Sequence, residues 1–507
     1  MTSSATAPAR PGSGAGSPRG RRGRAASGLG ALLDRTFWLW PALLTLAATV
    51  YRSGRPELWR DELATWSAAT RSTGELLDML EHVDAVSGAY YLFMHGWISL
   101  FGDSPVVLRL PSALAMTGAA VFTALTARKL FDSRVGLLAG VLLALFPSVS
   151  RYGQEVRSYA FVVLAASAAT WLLLHAAERS TLLRWLPYSV AVAAAGLLHM
   201  VSLVFLAGHA AVVLLRRRDG RGRRLLPAFA VAVLVGLLPV VPLVAVGQRQ
   251  VGRQISWLHT PDIHAIGDHW QGLFGSVLVG LCVLALAAVP AGWARGRRPA
   301  LEIGLIAALP IVLTWIVSQG HASYFLDRYQ LYTVTAWAVL AAAGLASLRP
   351  SFLTPVVLLA VAVLARPDLQ HVRTTTAHET TNGRAAASVI AAGYRPGDGF
   401  APLRGNQSYM MLDYEVDYYL PGSVHLKDVL AAKSAVARND LFALPCAQPA
   451  ACLAGTSRIW VVTTGGDADP LKEFPVAEAA ALRSAYTPTE IKHVRGLTVA
   501  LLERHAG

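Results

Sequence analysis

Just after the first apolar stretch stands Trp59-Arg60-Asp61-Glu62-Leu63-Ala64-Thr65-Trp66, two adjacent carboxylates framed by tryptophans of the kind that anchor a chain at a membrane surface. Held against a bilayer, a carboxylate meets a lowered dielectric, which disfavours its charged form and raises its affinity for a proton. Such a group can act as a general base toward a sugar or protein hydroxyl. The same residues also suit a purely local role, with Asp61 capping a helix that starts at Glu62 and Glu62 in its first turn, where the helix dipole favours it. The sequence leaves both readings open.

Either role needs scaffolding at a membrane, and the composition supplies it. Of 507 residues 54% are hydrophobic and 15% are charged, against about 25% charged in a soluble domain. Apolar runs of spanning length fall near 37–50, 106–126, 134–150, 158–178, 184–198, 200–215, 225–247, 271–294, 300–318, 328–348 and 352–365. These predict a mainly α polytopic membrane protein with about eleven transmembrane helices, the fifth and sixth being short and meeting at His199. Between the first two spans, the loop 51–105 holds Leu76, Leu77, Leu80 and Val83 at helical spacing and a second apolar run, Ala89 to Leu100, too short to span. Both suit helices lying in the interface.

Charge gives the topology. The net charge is +14, distributed as +5 over residues 1–36, +10 over 37–366 and −1 over 367–507. The basic residues lie in short clusters between apolar runs, which excludes a nucleic-acid partner and fits the positive-inside rule. Alternate connections carry Arg128, Lys129 and Arg134; Arg179 and Arg184; the arginines from Arg216 to Arg224; Arg295, Arg297 and Arg298; and Arg349. The expected organisation is therefore a disordered basic cytoplasmic tail (1–36), a transmembrane domain (37–366) whose first outer loop is 51–105, and a small extracytoplasmic α/β domain (367–507). In that last domain a helical pattern near 380–393 and β-rich runs 458–464 and 497–502 stand out. Cys446 and Cys452 would form a disulfide that persists outside the cell. There is no Walker loop, no GxGxxG after a strand, no HExxH and no paired CxxC, which argues against ATP-driven transport and a closed zinc site.

The order of basic tail, first span, Asp-Glu loop, Tyr- and Leu-rich interfacial helices and many spans resembles the GT-C glycosyltransferases. It is most similar to the branch of dolichyl-phosphate-mannose protein mannosyltransferases and aminoarabinose transferases, glycosyltransferase family 39-like. The matching residues are Asp61-Glu62, the segment Ala89 to Trp97, the run Ser150-Arg151-Tyr152-Gly153-Gln154-Glu155-Val156-Arg157-Ser158-Tyr159-Ala160, and Asp327-Arg328-Tyr329. The likeness covers about residues 37–365, and the segment after 367 suggests no relative.

The resemblance implies an inverting transferase that moves a hexose, with mannose the first sugar expected, from a polyprenyl-phosphate donor to a hydroxyl of an envelope glycan, lipid or protein on the outer face. Asp61 is then the base, with Glu62 beside it. Arg328, Arg157 and Arg151, with Tyr329 and His199, are the candidates for the donor phosphate, whose departure cations can assist without a metal. Each has a plainer alternative: an arginine at a span's end is often a snorkelling anchor, and Glu155 and Arg157 can simply pair. No cofactor is required, although His82 and Asp84 with Asp61 could hold a divalent metal. Two competing functions are a transporter or flippase of lipid-linked sugar, for which no internal repeat is visible, and a non-catalytic assembly protein.

Overall fold

Long apolar runs must satisfy their backbone groups internally in lipid, and helices do so. The computed structural model describes residues 34–217, 224–254, 257–294, 296–378 and 381–505. The expected disordered tail, up to residue 33, and Arg218, Arg221, Arg223 and Arg295 lie outside the described residues. Among the described residues, five helices are long and apolar enough to span a bilayer, two further spans are bent helix pairs, and four apolar helices are shorter, which makes eleven apolar segments in chain order. One bent pair, Ser133–Leu145 with Pro147–Gly153, turns by 68° at Phe146 and Pro147, and the other, Ala265–Phe274 with Val277–Ala287, turns by 93°. Gly275 makes the second bend with φ +68°; a Cβ there would lie 2.6 Å from the Ser148 backbone nitrogen. The close approach packs this bend on the short helix that ends near Arg151.

Between the helices is a continuous core rich in Ala, Val and Leu. The basic connections meet at one end of it. Lys129 Nζ lies 2.6 Å and Arg184 Nη1 3.7 Å from Glu178, Arg134 donates to Thr354 Oγ1 at 3.1 Å, and Arg216 and Arg298 share Glu302 at 2.6 and 3.1 Å. Three helices that finish at this end, Pro105–Leu130, Tyr159–Ala176 and Thr333–Ser347, start beside Arg109, Arg157 and Arg328 respectively. Those three arginines therefore share the opposite end.

In the loop 51–105 the expected helices form as Arg60–Ala69, Thr73–His82 and Gly88–Phe101. Ser72 and Glu75 cap the second of them reciprocally. Leu76, Met79 and Met94 close under them in a core of their own, which also takes in Val156, Met411 and Leu441. Leu77, grouped with that apolar face by spacing alone, points outward and is exposed.

The last membrane helix runs from Leu353 to His371, through Pro367 and beyond the end expected at 365. After it comes a helix, Gly383–Gly393, and a mixed sheet of β1 (Gly399–Pro402), β2 (Lys427–Asp428), β5 (Arg458–Thr464), β6 (Tyr486–Val494) and β7 (Leu497–Arg504) in the order β2-β1-β5-β7-β6. The strands β1 and β5 are parallel with Phe400 opposite Trp460, and β5 and β7 antiparallel with Val461 opposite Ala500. Two short strands, β3 (Ala431–Lys433) and β4 (Leu444–Pro445), pair separately, and beside them Cys446 and Cys452 are joined in a disulfide. The helix and the two apolar strands stand where the periodicity puts them. Strand β6, mostly exposed and polar, carries no such signal.

The helix Leu412–Tyr419 ties this domain to the first loop. Tyr419 accepts the Leu58 backbone N–H at 2.8 Å, Tyr418 donates to the Asp103 carbonyl at 2.7 Å, and Arg71 donates to the Asp440 carbonyl at 2.6 Å.

Candidate active site

Asp61 stands in the first turn of Arg60–Ala69 and caps nothing. The helix begins two residues earlier than the sequence suggested, so it is Glu62 whose carboxylate reaches back to the Trp59 N–H, at 3.4 Å. The two carboxylates point into different surroundings. Glu62 has no exposure and takes Arg109 on both oxygens, at 2.9 and 2.6 Å, as well as the Val156 N–H at 2.9 Å. With its oxygens so occupied it is placed to hold structure. Thr65 Oγ1 holds the same residue through the Val156 carbonyl at 3.0 Å. The result is that Arg157, the next residue, is delivered to the Asp61 turn.

Asp61 keeps a partly exposed side chain. Its Oδ2 faces Arg328 Nη2 at 3.9 Å, and Arg157 Nη1 lies 3.5 Å from its backbone carbonyl. Arg328 belongs to a short turn, Asp327–Gln330, and its guanidinium lies about 6 Å from three ring centres, those of Trp59, Tyr159 and Trp257. Burial opposes the charge of Arg328, but the tyrosine and carboxylate neighbours outweigh it and raise its pKa further. Two fixed cations thus flank one carboxylate at the end of the membrane core opposite the basic connections. Cations so placed can stabilise a departing phosphate.

Tyr329 and His199 complete this wall, with ring centres 4.4 Å apart and Tyr159 at 5.9 Å from His199. Burial, helped by Arg157 and Arg328, pushes His199 down to about 3, so it is a neutral ring that can donate or accept but adds no charge. Arg151 stands on the other side. Its Nε is 4.0 Å from Glu155, and Tyr152 next to it donates to Asp327 at 3.3 Å. The structure therefore gathers Asp61, Arg328, Arg157, Tyr329 and His199, with Arg151 adjoining. Glu155 pairs with Arg151 and not with Arg157, whose guanidinium instead reaches Tyr91 at 3.2 Å and Asp61. The chain turns between them, sending residues two apart to different neighbours.

His82 and Asp84 do not join Asp61 in a metal site. His82 is exposed and bonded to the Asp78 carbonyl at 2.7 Å, whereas Asp84 accepts hydrogen bonds from Tyr91 and Ser87. Among the described residues no group of three or more His, Cys, Asp or Glu side chains could hold a metal ion. Burial raises the Asp84 pKa despite the pull of Arg157, and the Asp84–Tyr91–Arg157 chain instead braces the second cation. Arg109 and Tyr91 hold these side chains in place; the sequence assigned neither a role, although Tyr91 lies in the matching segment Ala89 to Trp97. Arg109 carried one signal, a charge just inside a span.

Residues 89–245 match the family model of dolichyl-phosphate-mannose-protein mannosyltransferases. None of the curated proteins matches the sequence. Among solved structures, ArnT from Cupriavidus metallidurans bound to undecaprenyl phosphate is similar at a TM-score of 0.62 with 15% identity, over 94% of this chain and 98% of that one. Its apo state is similar at 0.62 with 16% identity, over the same shares. Coverage of 94% carries the likeness past residue 367, into the C-terminal domain for which the sequence suggested no relative. The chain thus has the fold of ArnT, and within it residues 89–245 are similar to the dolichyl-phosphate-mannose-protein mannosyltransferases.

Proposed function

We propose that the protein is a membrane glycosyltransferase that takes a hexose, mannose first among those to test, from a polyprenyl-phosphate donor and places it on a hydroxyl of an envelope glycan, lipid or exported protein. The observation that carries this reading is the triad of Asp61, Arg328 and Arg157 at the end of the core opposite the basic connections. Undecaprenyl phosphate bound to the similar ArnT supports a polyprenyl-phosphate donor. With the basic connections in the cytoplasm, the triad and the C-terminal domain lie on the outer face.

In the reaction, Asp61 accepts the proton of the acceptor hydroxyl as its oxygen attacks the anomeric carbon. The bond from that carbon to the phosphate oxygen breaks, and polyprenyl phosphate leaves with the electron pair and the negative charge. Arg328 and Arg157 receive that charge, and attack opposite the leaving group inverts the anomeric centre. Arg151, Tyr329 and His199 line the donor side. Glu62 positions Asp61 and Arg157 and makes no contact with substrate. No step requires a metal.

The test uses membranes containing the wild type or Asp61→Asn, radiolabelled polyprenyl-phosphate sugars and cell-envelope extract. Transfer lost in the variant is expected. If neither protein consumes any donor while labelled lipid still binds, the reading fails, and a flippase becomes the function to assay.

A further inference from the structure

Next to the triad lies a second group of polar side chains that the proposed mechanism does not use. Glu155 has no solvent exposure, and neither of its carboxyl oxygens has a hydrogen-bond partner. Arg151 Nε, 4.0 Å away, is also buried and without one. The same holds for Arg328 Nε, for the indole N–H of Trp59, and for both ring nitrogens of His378, which stacks on Trp59 at 6.2 Å and 15°. These groups are neighbours: Arg328 lies 6.0 Å from the Trp59 ring, and the charges of Arg151 and Arg328 act on Glu155.

Buried polar atoms without partners are rare, because each forfeits its hydration. Three here are donors, Glu155 supplies acceptors, and His378 can be either. A phosphate would use only the donors and leave the Glu155 acceptor bare; an ammonium would use only the acceptors and leave the donors bare. A ring bearing several hydroxyls uses both. Arg328 belongs to this group and to the triad, so the two sites adjoin at the residue that faces the donor phosphate.

Resting on the reading above, we infer that Glu155, with Arg151, Trp59 and His378, forms the pocket for the sugar ring of the polyprenyl-phosphate donor, and that Glu155 selects the sugar by hydrogen bonds to its hydroxyls. Burial pushes the Glu155 carboxyl up to about 8, against the pull of Arg151, so at neutral pH it presents both an O–H and a carbonyl. A hydroxyl needs that pair of partners. A site built to bond hydroxyls rejects a ligand that lacks them, because its own groups are then left bare.

The test is binding to the full-length protein in nanodiscs, with undecaprenyl phosphate and undecaprenyl-phosphate mannose, glucose and arabinose as probes. Wild type should bind at least one sugared lipid about tenfold or more tighter than the bare phosphate. Glu155→Leu should abolish that excess, Glu155→Gln should keep part of it, and both should bind the bare phosphate as wild type does, which also shows that they are folded. The inference is overturned if Glu155→Leu keeps the full excess, or if wild type binds bare and sugared lipids equally. Should wild type bind none of the four probes, the donor class itself is wrong, a separate failure. If neither variant folds, His378→Ala carries the same comparison, and an undiminished excess there overturns it.

Discussion

Glu62 and Arg109, 47 residues apart, meet through two hydrogen bonds of 2.9 and 2.6 Å with no solvent on either side chain. Arg109 spends its remaining donors on the carbonyls of Ser53, Pro56 and Glu57, so one guanidinium gathers the chain on both sides of the reaction centre. Removing one partner of such a pair leaves a bare buried charge, at a cost of about 3–5 kcal/mol. Glu62→Ala and Arg109→Ala are therefore expected to lower the melting temperature clearly, with activity lost alongside. A Glu62→Ala protein as stable as wild type yet inactive would return Glu62 to the chemistry.

Asp61→Asn should behave in the opposite manner. Asp61 is partly exposed and supports no neighbour in the way Glu62 does, so melting should stay near wild type. Turnover should fall by roughly 10² to 10⁴, the contribution of a positioned base, with donor affinity little changed. Turnover close to wild type in the asparagine variant removes Asp61 from that role.

Arg328→Ala should raise KM for the donor and lower kcat, since the leaving phosphate loses a cation. Arg328→Lys should recover only part of this, because a point charge replaces a fork that also lies among three aromatic rings. Steady-state kinetics at varied donor concentration measure both, and an alanine variant with unchanged constants rules the contact out.

A dependence on pH follows from Glu155. Its folded pKa is raised to about 8 from an ordinary 4.5, first by burial and then by the carboxylates of Glu62 and Asp61, with Arg151 and Arg328 opposing. The folded state then holds the proton more tightly than the unfolded one. Its contribution to stability is complete below about pH 4.5 and is lost as pH rises through 8. Wild type should melt lower at pH 9 than at pH 6, and Glu155→Gln should flatten that slope. Identical slopes would show that Glu155 does not titrate in this window.

The Cys446–Cys452 disulfide offers a check on orientation. In spheroplasts, a membrane-impermeant maleimide should label these cysteines only after a reductant is added. Labelling that requires lysis would place the C-terminal domain in the cytoplasm.

Hydropathy alone marked the eleven apolar segments, because a helix in lipid needs a long apolar run wherever it packs. The second and third helices of the first loop were nearly as plain, since Leu76, Leu80 and Val83 recur at helical spacing and Ala89 to Leu100 is one apolar run. The partners of the carboxylates were not. Nothing in the sequence tells Asp61 from Glu62 as neighbours, for the distinction is made by Arg109 and Val156, both distant in the chain. Glu155 and Arg157 invited pairing by proximity, and the turn between them sent each elsewhere. Strand β6 escaped notice because an edge strand with a mostly polar surface lacks the alternation of a half-buried one.

The helix Leu412–Tyr419 that grips the first loop is synthesised some 350 residues after Asp61. On the proposed topology a ribosome finishes the membrane core long before Asp61 has its clamp, and the ring of Tyr418 against Trp66, at 5.1 Å, closes only when the last domain has crossed and folded. On the proposed function the latch that completes the site is the final piece delivered, so a half-exported chain would be inert and the onset of activity would be tied to the end of biogenesis.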